Sequence, residues 1–307
     1  MTMRARWGAG AAIAIMLTGC ASALPSPVRR ASWTPESAAV TPVATPQTRL
    51  PQATRIALEG QAIQGGMMLG TVPAGTVRLT LNGRPVRFAS DGRFVVAFDR
   101  DAGAIASLVA ERSDGSRVTQ PIAVAPRAWR IERLNSLPRI SQPSAEFQRR
   151  RGPELAQINA ARARDTGANG WRQQFLWPVT GRISGLFGAQ RVYRGEPGSY
   201  HSGVDVARPT GTPLMAPADG VVVLATADEF TLEGRLLMID HGMGLNSAFL
   251  HMASIDVKPG DAVRRGQRLG TVGATGRATG PHMHWGMKWG EARIDPLLLA
   301  GPMPAAE

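Results

Sequence analysis

Short runs of alternating apolar and polar residues begin near residue 55 of this chain. The clearest run, residues 77–81, has a period of two, which is typical of a half-buried β-strand. Asn-Gly or Asp-Gly pairs separate this and the following apolar runs, at 82–83, 91–92 and 114–115. Such pairs between apolar runs favour tight hairpin turns. The pattern predicts a small β-sandwich-like domain over 55–126.

A second β-rich region follows over 171–300. Its apolar runs predict short buried strands at 221–224, 236–239, 247–250 and 269–272. The pattern shows no alternation of strands with helices, so a parallel α/β sheet is not expected. Residues 301–307 are left as a C-terminal tail.

Residues 127–170 form a predicted connector that contains one short helix. Pro153 suits a first helical turn, and the Ala-rich continuation predicts a helix from about 153 to 165. A thin apolar stripe runs along it, formed by Leu155, Ile158 and Ala161 with Arg162. The basic run at 149–151 is interpreted as a solvated face.

The first 54 residues have the pattern of an exported and tethered chain. Two arginines precede an apolar stretch at 11–17 that is too short to span a bilayer as a mature helix. Leu-Thr-Gly then leads to Cys20, and residues 1–19 with this cysteine resemble a lipoprotein signal peptide. The alternative is an ordinary signal peptide with a chance cysteine. Residues 20–54, rich in Pro, Ser, Thr and Ala, predict a flexible lipid-anchored linker.

The residue after Cys20 bears on the expected location. In enteric-type lipoproteins an Asp there indicates retention at the inner membrane, and this chain has Ala21 instead. Acyl chains on the cysteine would give a stable membrane anchor. We therefore expect a lipoprotein of the bacterial cell envelope, on the outer membrane and facing the periplasm.

Composition and charge restrict the structural class and the kinds of partner, but they do not identify a function. A hydrophobic content of 43% allows a real core, and 35 Gly and 23 Pro with only 19% charged residues favour turn-rich β structure. The net charge of +12, nearly all from Arg, fits an anionic partner such as lipid headgroups or cell wall, or simply an Arg-rich genome. No paired-cysteine ligand set or basic heptad is present, so no nucleic-acid partner is expected. A single cysteine excludes an intrachain disulfide.

Candidate chemistry concentrates in two segments, His-Ser-Gly-Val-Asp and Gly-Pro-His-Met-His-Trp, which hold three of the five histidines. His282 and His284 project to the same side of a strand, so both can bind one metal, or one can bind while the other faces substrate. His201 and Asp205, four residues apart, also share a face. This imidazole and carboxylate set suits one zinc ion.

These residue types fit hydrolysis. Three protein ligands leave the fourth zinc position open to water, whose pKa falls to about 7, and zinc also polarises a substrate carbonyl. Two neutral imidazoles and one carboxylate leave the zinc site net positive, which stabilises a negative tetrahedral intermediate. A nearby unligated histidine can take the proton of the water or support the oxyanion.

Together these residues resemble the lysostaphin-type (LytM-type) zinc endopeptidases of peptidoglycan. The likeness rests on His201-x-x-x-Asp205, Leu-His251 and Gly-Pro-His282-Met-His284, and it extends over less than half of the chain. It implies a small antiparallel β peptidase domain with its site in a groove. It also implies one Zn²⁺ per chain, held by His201, Asp205 and His284. His251 and His282 would then be the unligated catalytic pair that orients the water and stabilises the oxyanion.

The function implied by the resemblance is zinc-dependent hydrolysis of peptide cross-links in peptidoglycan during cell-wall remodelling. The expected bond is D-alanyl-diaminopimelate rather than a pentaglycine bridge. Two alternatives stay open: a catalytically silent regulator that activates wall amidases, and a structural wall-binding lipoprotein with a vestigial metal site. The expected partners are peptidoglycan stem peptides, a membrane through the lipid anchor at Cys20, and protein regulators of wall hydrolysis.

Other features receive less specific roles. The 55–126 domain carries no His or Cys and is expected to bind wall, to cover the cleft, or to act as a spacer. Trp285 is expected to pack in the core, because it lies on the strand face opposite to its neighbours. Tyr200 is a candidate substrate contact, and His241 is expected in a turn or, alternatively, supporting a ligand. The segment 227–234 is more acidic than the resemblance leads us to expect.

Overall fold

A computed structural model describes residues 55–136 and 144–304. The fold is mainly β, with two β regions joined by a helical connector, which confirms the predicted fold class. The predicted signal peptide at 1–19, Cys20 and the linker to residue 54 lie outside the described residues, as do residues 305–307 of the predicted tail. Within the described ranges, no helix is both long and apolar enough to cross a membrane.

The first β region is a sandwich of two small antiparallel sheets. Its strands are β1 (Ala57–Gly60), β2 (Met67–Thr71), β3 (Thr76–Leu81), β4 (Arg84–Val86), β5 (Arg93–Ala97), β6 (Ile105–Arg112) and β7 (Arg117–Ala123). One sheet has the order β1-β2-β5 and the other β4-β3-β6-β7. Asn82 and Gly83 join β3 to β4 with φ of 50° and 78°, as a type I′ hairpin turn requires. The predicted sandwich is confirmed.

Strand β5 is buried on both faces, and this attaches the first region to the second. Phe94 and Val96 lie in the core of the sandwich. Val95 and Ala97, which alternate with them and so face the other way, belong to the main core of the second region. The sheet that contains β5 therefore separates two hydrophobic cores. A domain packed in this way does not fit the role of a spacer.

The connector contains strand β8 (Ile131–Leu134) and helix α1 (Ala145–Arg162), followed by a 3-10 helix at Gly170–Arg172. The predicted start of the helix near 153 was wrong. Ser144 caps α1 by accepting a hydrogen bond from the Phe147 amide, and Pro153 lies inside the helix. Proline removes one intrahelical hydrogen bond. Burial of Ile158 and Ala161 against the sheet of the second region offsets that loss.

The interpretation of the basic run as a solvated face was wrong for Arg151. Its guanidinium donates to both carboxylate oxygens of Glu233, at 2.6 and 2.8 Å. Glu154, one turn further on, accepts hydrogen bonds from the amide and hydroxyl of Thr231, at 2.8 and 2.6 Å. The unexpectedly acidic segment 227–234 therefore docks α1.

The second β region is built on one large antiparallel sheet of order β18-β14-β15-β16-β20-β12-β9, with β21 paired to β20. Its elements are β9 (Arg182–Gly185), β10 (Gln190–Tyr193), β11 (Glu196–Tyr200), β12 (Gly203–Ala207), β13 (Pro213–Met215), β14 (Gly220–Ala225), β15 (Arg235–Gly242), β16 (Leu245–Met252), β17 (Ser254–Ile255), β18 (Ala262–Val263), β19 (Arg268–Thr271), β20 (His282–Trp289), β21 (Ala292–Ile294) and α2 (Pro296–Ala300). A smaller sheet has the order β13-β19-β17, and β8 adds in parallel to the β10-β11 hairpin. The four predicted buried strands are confirmed.

The large sheet has a core face and a site face. Met283, Trp285 and Met287 of β20 are buried in the main core, which confirms the prediction for Trp285. The residues that alternate with them, including His282 and His284, lie on the opposite face. Helix α1 packs on that same face, across β14 to β16, through Ile158 and Ala161. Part of the site face is thus covered by the connector.

His241 is not the turn residue that we expected. It lies at the end of β15, fully buried, and its Nδ1–H donates to the Asp219 carbonyl at 2.7 Å. Its Nε2 accepts from the Ser247 hydroxyl at 2.8 Å, and Ser247 in turn accepts from the Trp285 indole at 3.2 Å. Burial lowers the pKa of His241 from 6.5 to about 4, against the opposing effect of its bond to Asp219, so the ring is neutral in the folded protein.

We predict that this histidine makes stability depend on pH. In the unfolded chain His241 takes up a proton near pH 6.5, whereas the folded chain resists until about pH 4. His241 therefore stabilises the folded chain fully above pH 6.5. As the pH falls towards 4, the free energy of unfolding loses roughly 3 kcal/mol of this contribution. Denaturant unfolding of metal-free protein checks this. The stability advantage of wild type over His241→Gln should shrink between pH 7 and pH 4.5, and an advantage that stays constant would contradict it.

Candidate functional site

The predicted metal ligands meet because two strands pair in a fixed register. In the antiparallel pair β12 and β20, Asp205 lies directly opposite His284 and Ala207 lies opposite His282. On the other side of β20, Leu250 of β16 lies opposite His284. The following residue, His251, has a φ of 63° that interrupts the strand alternation, and its ring lies 4.9 Å from that of His282. Opposite residues in such a pair project to the same face. Three neighbouring strands therefore carry four of the five predicted site residues.

His201, Asp205 and His284 form a compact triangle of donor atoms. His284 Nδ1 lies 2.8 Å from Asp205 Oδ1, and His201 Nε2 lies 3.1 Å from each of those two atoms. His201 reaches the triangle from the end of β11, just before β12 begins. Among the residues that the structure describes, these three form the group able to hold a metal ion.

The triangle fits a tetrahedral metal. Bonds of about 2.05 Å to nitrogen and oxygen place tetrahedral ligand atoms about 3.3 Å apart, close to the distances found here. His201 Nδ1–H donates to the Leu186 carbonyl at 3.0 Å, which leaves the Nε2 lone pair directed at the triangle. Nitrogen and carboxylate oxygen atoms this close to one another either share protons in hydrogen bonds or hold a cation between them. The donor set therefore matches a site for zinc.

Hydrogen bonds and burial set the protonation states of the triangle. Burial opposes ionisation of Asp205, but its hydrogen bonds to His201 and His284 outweigh that effect and hold its pKa well below the usual range. Burial lowers the pKa of His284 despite the bond to Asp205. Burial also acts against protonation of His201, yet the bond to Asp205 prevails and raises its pKa. The carboxylate is thus ionised and available as a ligand.

His251 and His282 lie beside the triangle, and a backbone carbonyl holds each ring through its Nδ1. Their rings are 4.9 Å apart, and His282 Nε2 is 3.8 Å from Asp205 Oδ1. The Nδ1–H of His251 donates to the Thr275 carbonyl and that of His282 to the Gly280 carbonyl, each at 2.8 Å. Backbone carbonyls only accept, so both rings hold the proton on Nδ1 and keep Nε2 free. All five residues predicted for the site are therefore brought together.

The backbone of His251 is held in an unusual conformation. Its φ of 63° lies in the left-handed region, which costs a non-glycine residue about 1–3 kcal/mol and is common at functional sites. Its amide donates to the Glu233 carbonyl at 2.8 Å. Because the Glu233 carboxylate is bonded to Arg151, helix α1 supports the segment that holds His251.

Two glycines leave room for the ligands. A Cβ on Gly185 would lie 2.3 Å from Asp205 Oδ2, and a Cβ on Gly203 would lie 2.4 Å from the Trp285 carbonyl oxygen and 2.7 Å from His284 Nε2. Both distances are shorter than any real contact. Gly203 belongs to the segment that carries His201 and Asp205, but its contact with His284 depends on the pairing of β12 with β20. Gly185 was missed as a site residue, because its contact with Asp205 depends on the pairing of β9 with β12.

The first β region also holds the segment that carries His201. Arg100, which is buried, donates to the Gly188 carbonyl at 3.1 Å and to Gln190 Oε1 at 3.0 Å. The backbone groups of His201 bond to the same segment, through the Gly188 amide and the Ala189 carbonyl, each at 2.8 Å. Arg100 therefore acts as a positioning residue for a predicted ligand. No local sequence signal marked it.

Tyr200 takes part in the same junction. The Arg100 guanidinium lies 4.8 Å from the centre of its ring, and its hydroxyl donates to Asp99 at 3.1 Å. Arg293 donates to that hydroxyl at 3.3 Å. These contacts give Tyr200 a structural role, while its proposed contact with substrate stays a prediction.

The metal triangle lies between two cavities. His201 and Asp205 line a cavity of about 1680 Å³ that also borders Arg130 and Arg277. His284 lines a cavity of about 220 Å³ between α1 and the site face of the sheet. A groove on both sides of a reactive centre suits an extended substrate better than a small one.

Comparison with known proteins agrees with this geometry. The sequence model described as Peptidase family M23 matches residues 199–296, which include all five site residues. The solved structure of a candidate M23 peptidase from Pseudomonas aeruginosa is 31% identical, with a TM-score of 0.61, and the match covers 79% of this chain and 96% of that chain. A match over 79% of this chain is longer than the second β region, so it includes residues outside that region.

Two curated relatives match a smaller part of this chain. Peptidoglycan DD-endopeptidase ShyA from Vibrio cholerae is 42% identical over 108 residues, 34% of this chain and 24% of ShyA. DD-carboxypeptidase/endopeptidase Mpg from Neisseria meningitidis is 36% identical over 133 residues, 40% of this chain and 28% of Mpg. The chain thus spans about a quarter of the length of these relatives.

We predict that Arg100 controls metal affinity. Arg100→Met removes the bonds to the segment that positions His201, so zinc affinity should fall about tenfold, as for other residues that orient ligands. Competition with a chromophoric chelator measures the affinity. Arg117→Met, which removes an exposed arginine of the same β region, is the matched control and should bind zinc like wild type. Equal affinity of both variants and wild type would contradict the role of Arg100.

Proposed function

Because this chain belongs to peptidase family M23, we propose that it is a zinc-dependent endopeptidase that hydrolyses peptide cross-links of peptidoglycan. The expected bond joins D-alanine to diaminopimelate. The observation that carries the proposal is the complete site, with three converging donor atoms and two further imidazoles directed at them. The names of the relatives, which include DD-endopeptidases, support the substrate class.

In this proposal His201, Asp205 and His284 hold one zinc ion. When bound there, zinc supplies a Lewis acid that acidifies a water molecule and polarises the substrate carbonyl. The protein fixes the donors beforehand, because the Leu186 carbonyl sets the tautomer of His201 and the register of β12 and β20 places Asp205 against His284.

His251 and His282 provide the acid–base groups. Burial first, and then the neighbouring imidazoles, lower the pKa of His251 to about 4, so its Nε2 is unprotonated at neutral pH and can accept a proton from water. After accepting the proton, the same nitrogen becomes a donor to the oxyanion or to the departing amine. The carbonyls of Thr275 and Gly280 keep both rings turned towards the reacting atoms.

The mutation that separates catalysis from metal binding is His251→Ala. It removes the proposed base but no ligand, so zinc content should stay at one per chain while hydrolysis falls at least 100-fold. Asp205→Ala should lose both. Elemental analysis gives the zinc content, and mass spectrometry of muropeptides released from purified sacculi gives the activity. A fully active His251→Ala protein would refute the assignment. Wild type that takes up no metal after zinc loading would favour a silent regulator. Wild type that binds zinc and sacculi but releases no muropeptide would favour a structural wall-binding protein.

We further propose that Cys20 is lipidated and that the protein resides on the outer membrane, facing the periplasm. The support is the sequence alone, in which an apolar stretch and Leu-Thr-Gly precede the cysteine and Ala21 follows it. Labelled palmitate should be incorporated into wild type and not into Cys20→Ala. Fractionation should place the wild type with outer-membrane markers, and label-free wild type would contradict the anchor.

A further inference from the structure

The smaller cavity beside the metal triangle has a lining that the catalytic assignment does not use. Helix α1 forms one wall, and the site face of β15, β16 and β20 forms the other. Its volume of about 220 Å³ far exceeds the roughly 10–15 Å³ that one water molecule needs. Besides the Arg151–Glu233 pair, three cationic side chains line it, Arg162, Lys288 and Arg293. His284 also lines it, so the cavity extends as far as one of the predicted metal ligands.

Asn246 is the first sign that this cavity binds something. The residue is 5% exposed, and its Nδ2 group has no hydrogen-bond partner among the residues that the structure describes. Asn246 lies opposite Lys288 in the pairing of β16 with β20 and lines the cavity. A buried amide donor without a partner costs about 1–3 kcal/mol, so an acceptor that fills the cavity would remove that cost.

Arg162 is the second sign. It lies in the last turn of α1 and, within residues 55–136 and 144–304, no carboxylate forms a salt bridge with its guanidinium. Burial, and then the proximity of Arg293, lower its pKa, although Glu291 and Glu233 act in the opposite direction. Glu233 is already bonded to Arg151, and Glu291 to Lys288. Positive charge in the cavity therefore exceeds the negative charge that faces it.

We propose that this cavity, the α1 cavity, binds a free carboxylate of the acceptor stem peptide. The proposal rests on the proposed function. In a D-alanyl-diaminopimelate cross-link, the scissile nitrogen is attached to a carbon that also carries a free carboxylate, and the acceptor stem ends in a second one. A carboxylate accepts well from the planar fork of arginine and from an amide group. Arg162 and Asn246 would thus select a carboxylate further along the acceptor stem, because Asn246 and Lys288 lie four strand positions, roughly 13 Å, from Leu250 and His284.

A simpler role for Arg162 is to offset the negative end of the dipole of α1. That role explains a cation in the last turn. It does not explain why an amide donor is buried without a partner across the cavity from it. The two roles also differ in substrate dependence, because a dipole effect is the same for every substrate.

Synthetic cross-linked dimers test the proposal. One dimer is unmodified, one has a carboxamide in place of the diaminopimelate carboxylate beside the scissile nitrogen, and one has a carboxamide at the terminal D-alanine. Each is offered to zinc-loaded wild type, Arg162→Gln, Asn246→Ala and Arg149→Gln. Arg149 is exposed on the same helix, so its variant loses the same charge without touching the cavity. Calorimetric binding is measured alongside kcat/KM, so the comparison stands even without turnover.

Wild type should favour the unmodified dimer over one of the two carboxamides by at least about tenfold. Arg162→Gln and Asn246→Ala should lose most of that preference while handling the disfavoured dimer within twofold of wild type. Arg149→Gln should keep it. The carboxamide dimer that wild type binds more weakly than the unmodified dimer identifies which carboxylate is bound. Equal binding of all dimers by wild type, or equal effects of Arg162→Gln and Arg149→Gln, would overturn the proposal. Failure to cleave any dimer, with the binding preference intact, would count against the proposed function alone.

Discussion

The pairing of Asp205 with His284 across β12 and β20 is the constraint on which the site depends. These residues are 79 positions apart, yet their donor atoms are 2.8 Å from each other because the two strands pair directly opposite at this point. A slip of one residue would turn every side chain of one strand to the other face. Trp285 and Met283, buried on the core face, make such a slip costly. Core packing and ligand geometry are thus fixed by the same register.

Around this pair, the imidazoles are oriented by backbone carbonyls rather than by acidic side chains. Leu186 fixes His201, Thr275 fixes His251 and Gly280 fixes His282. Those carbonyls lie on loops, and elements from outside the large sheet support the loop that contains Leu186 and the backbone of His251. Arg100 of the first β region bonds to the segment beside His201, and α1 bonds to the segment that holds His251. The first β region and the connector are therefore parts of the site's support.

What the sequence predicted was set by short-range patterns. Strands, hairpin turns and the five site residues are visible within windows of a few residues, since alternation and ligand spacing are local properties. What it did not predict depends on partners far away in the chain. Helix α1 begins eight residues before the predicted start because tertiary packing tolerates Pro153, and Arg151 is paired because the acidic segment docks on it. The two-sided burial of β5 and the buried position of His241 likewise follow from packing between distant segments.

X-ray absorption at the zinc edge of the loaded protein reports the number and type of ligand atoms around the metal. We expect one zinc per chain, bound only by nitrogen and oxygen at about 2.0–2.1 Å, with two imidazoles, one carboxylate and one further light atom from solvent. Three or more imidazoles around the metal would mean that His251 or His282 is a ligand, and would contradict the division between ligands and acid–base groups. Failure to load zinc at all would contradict the site itself.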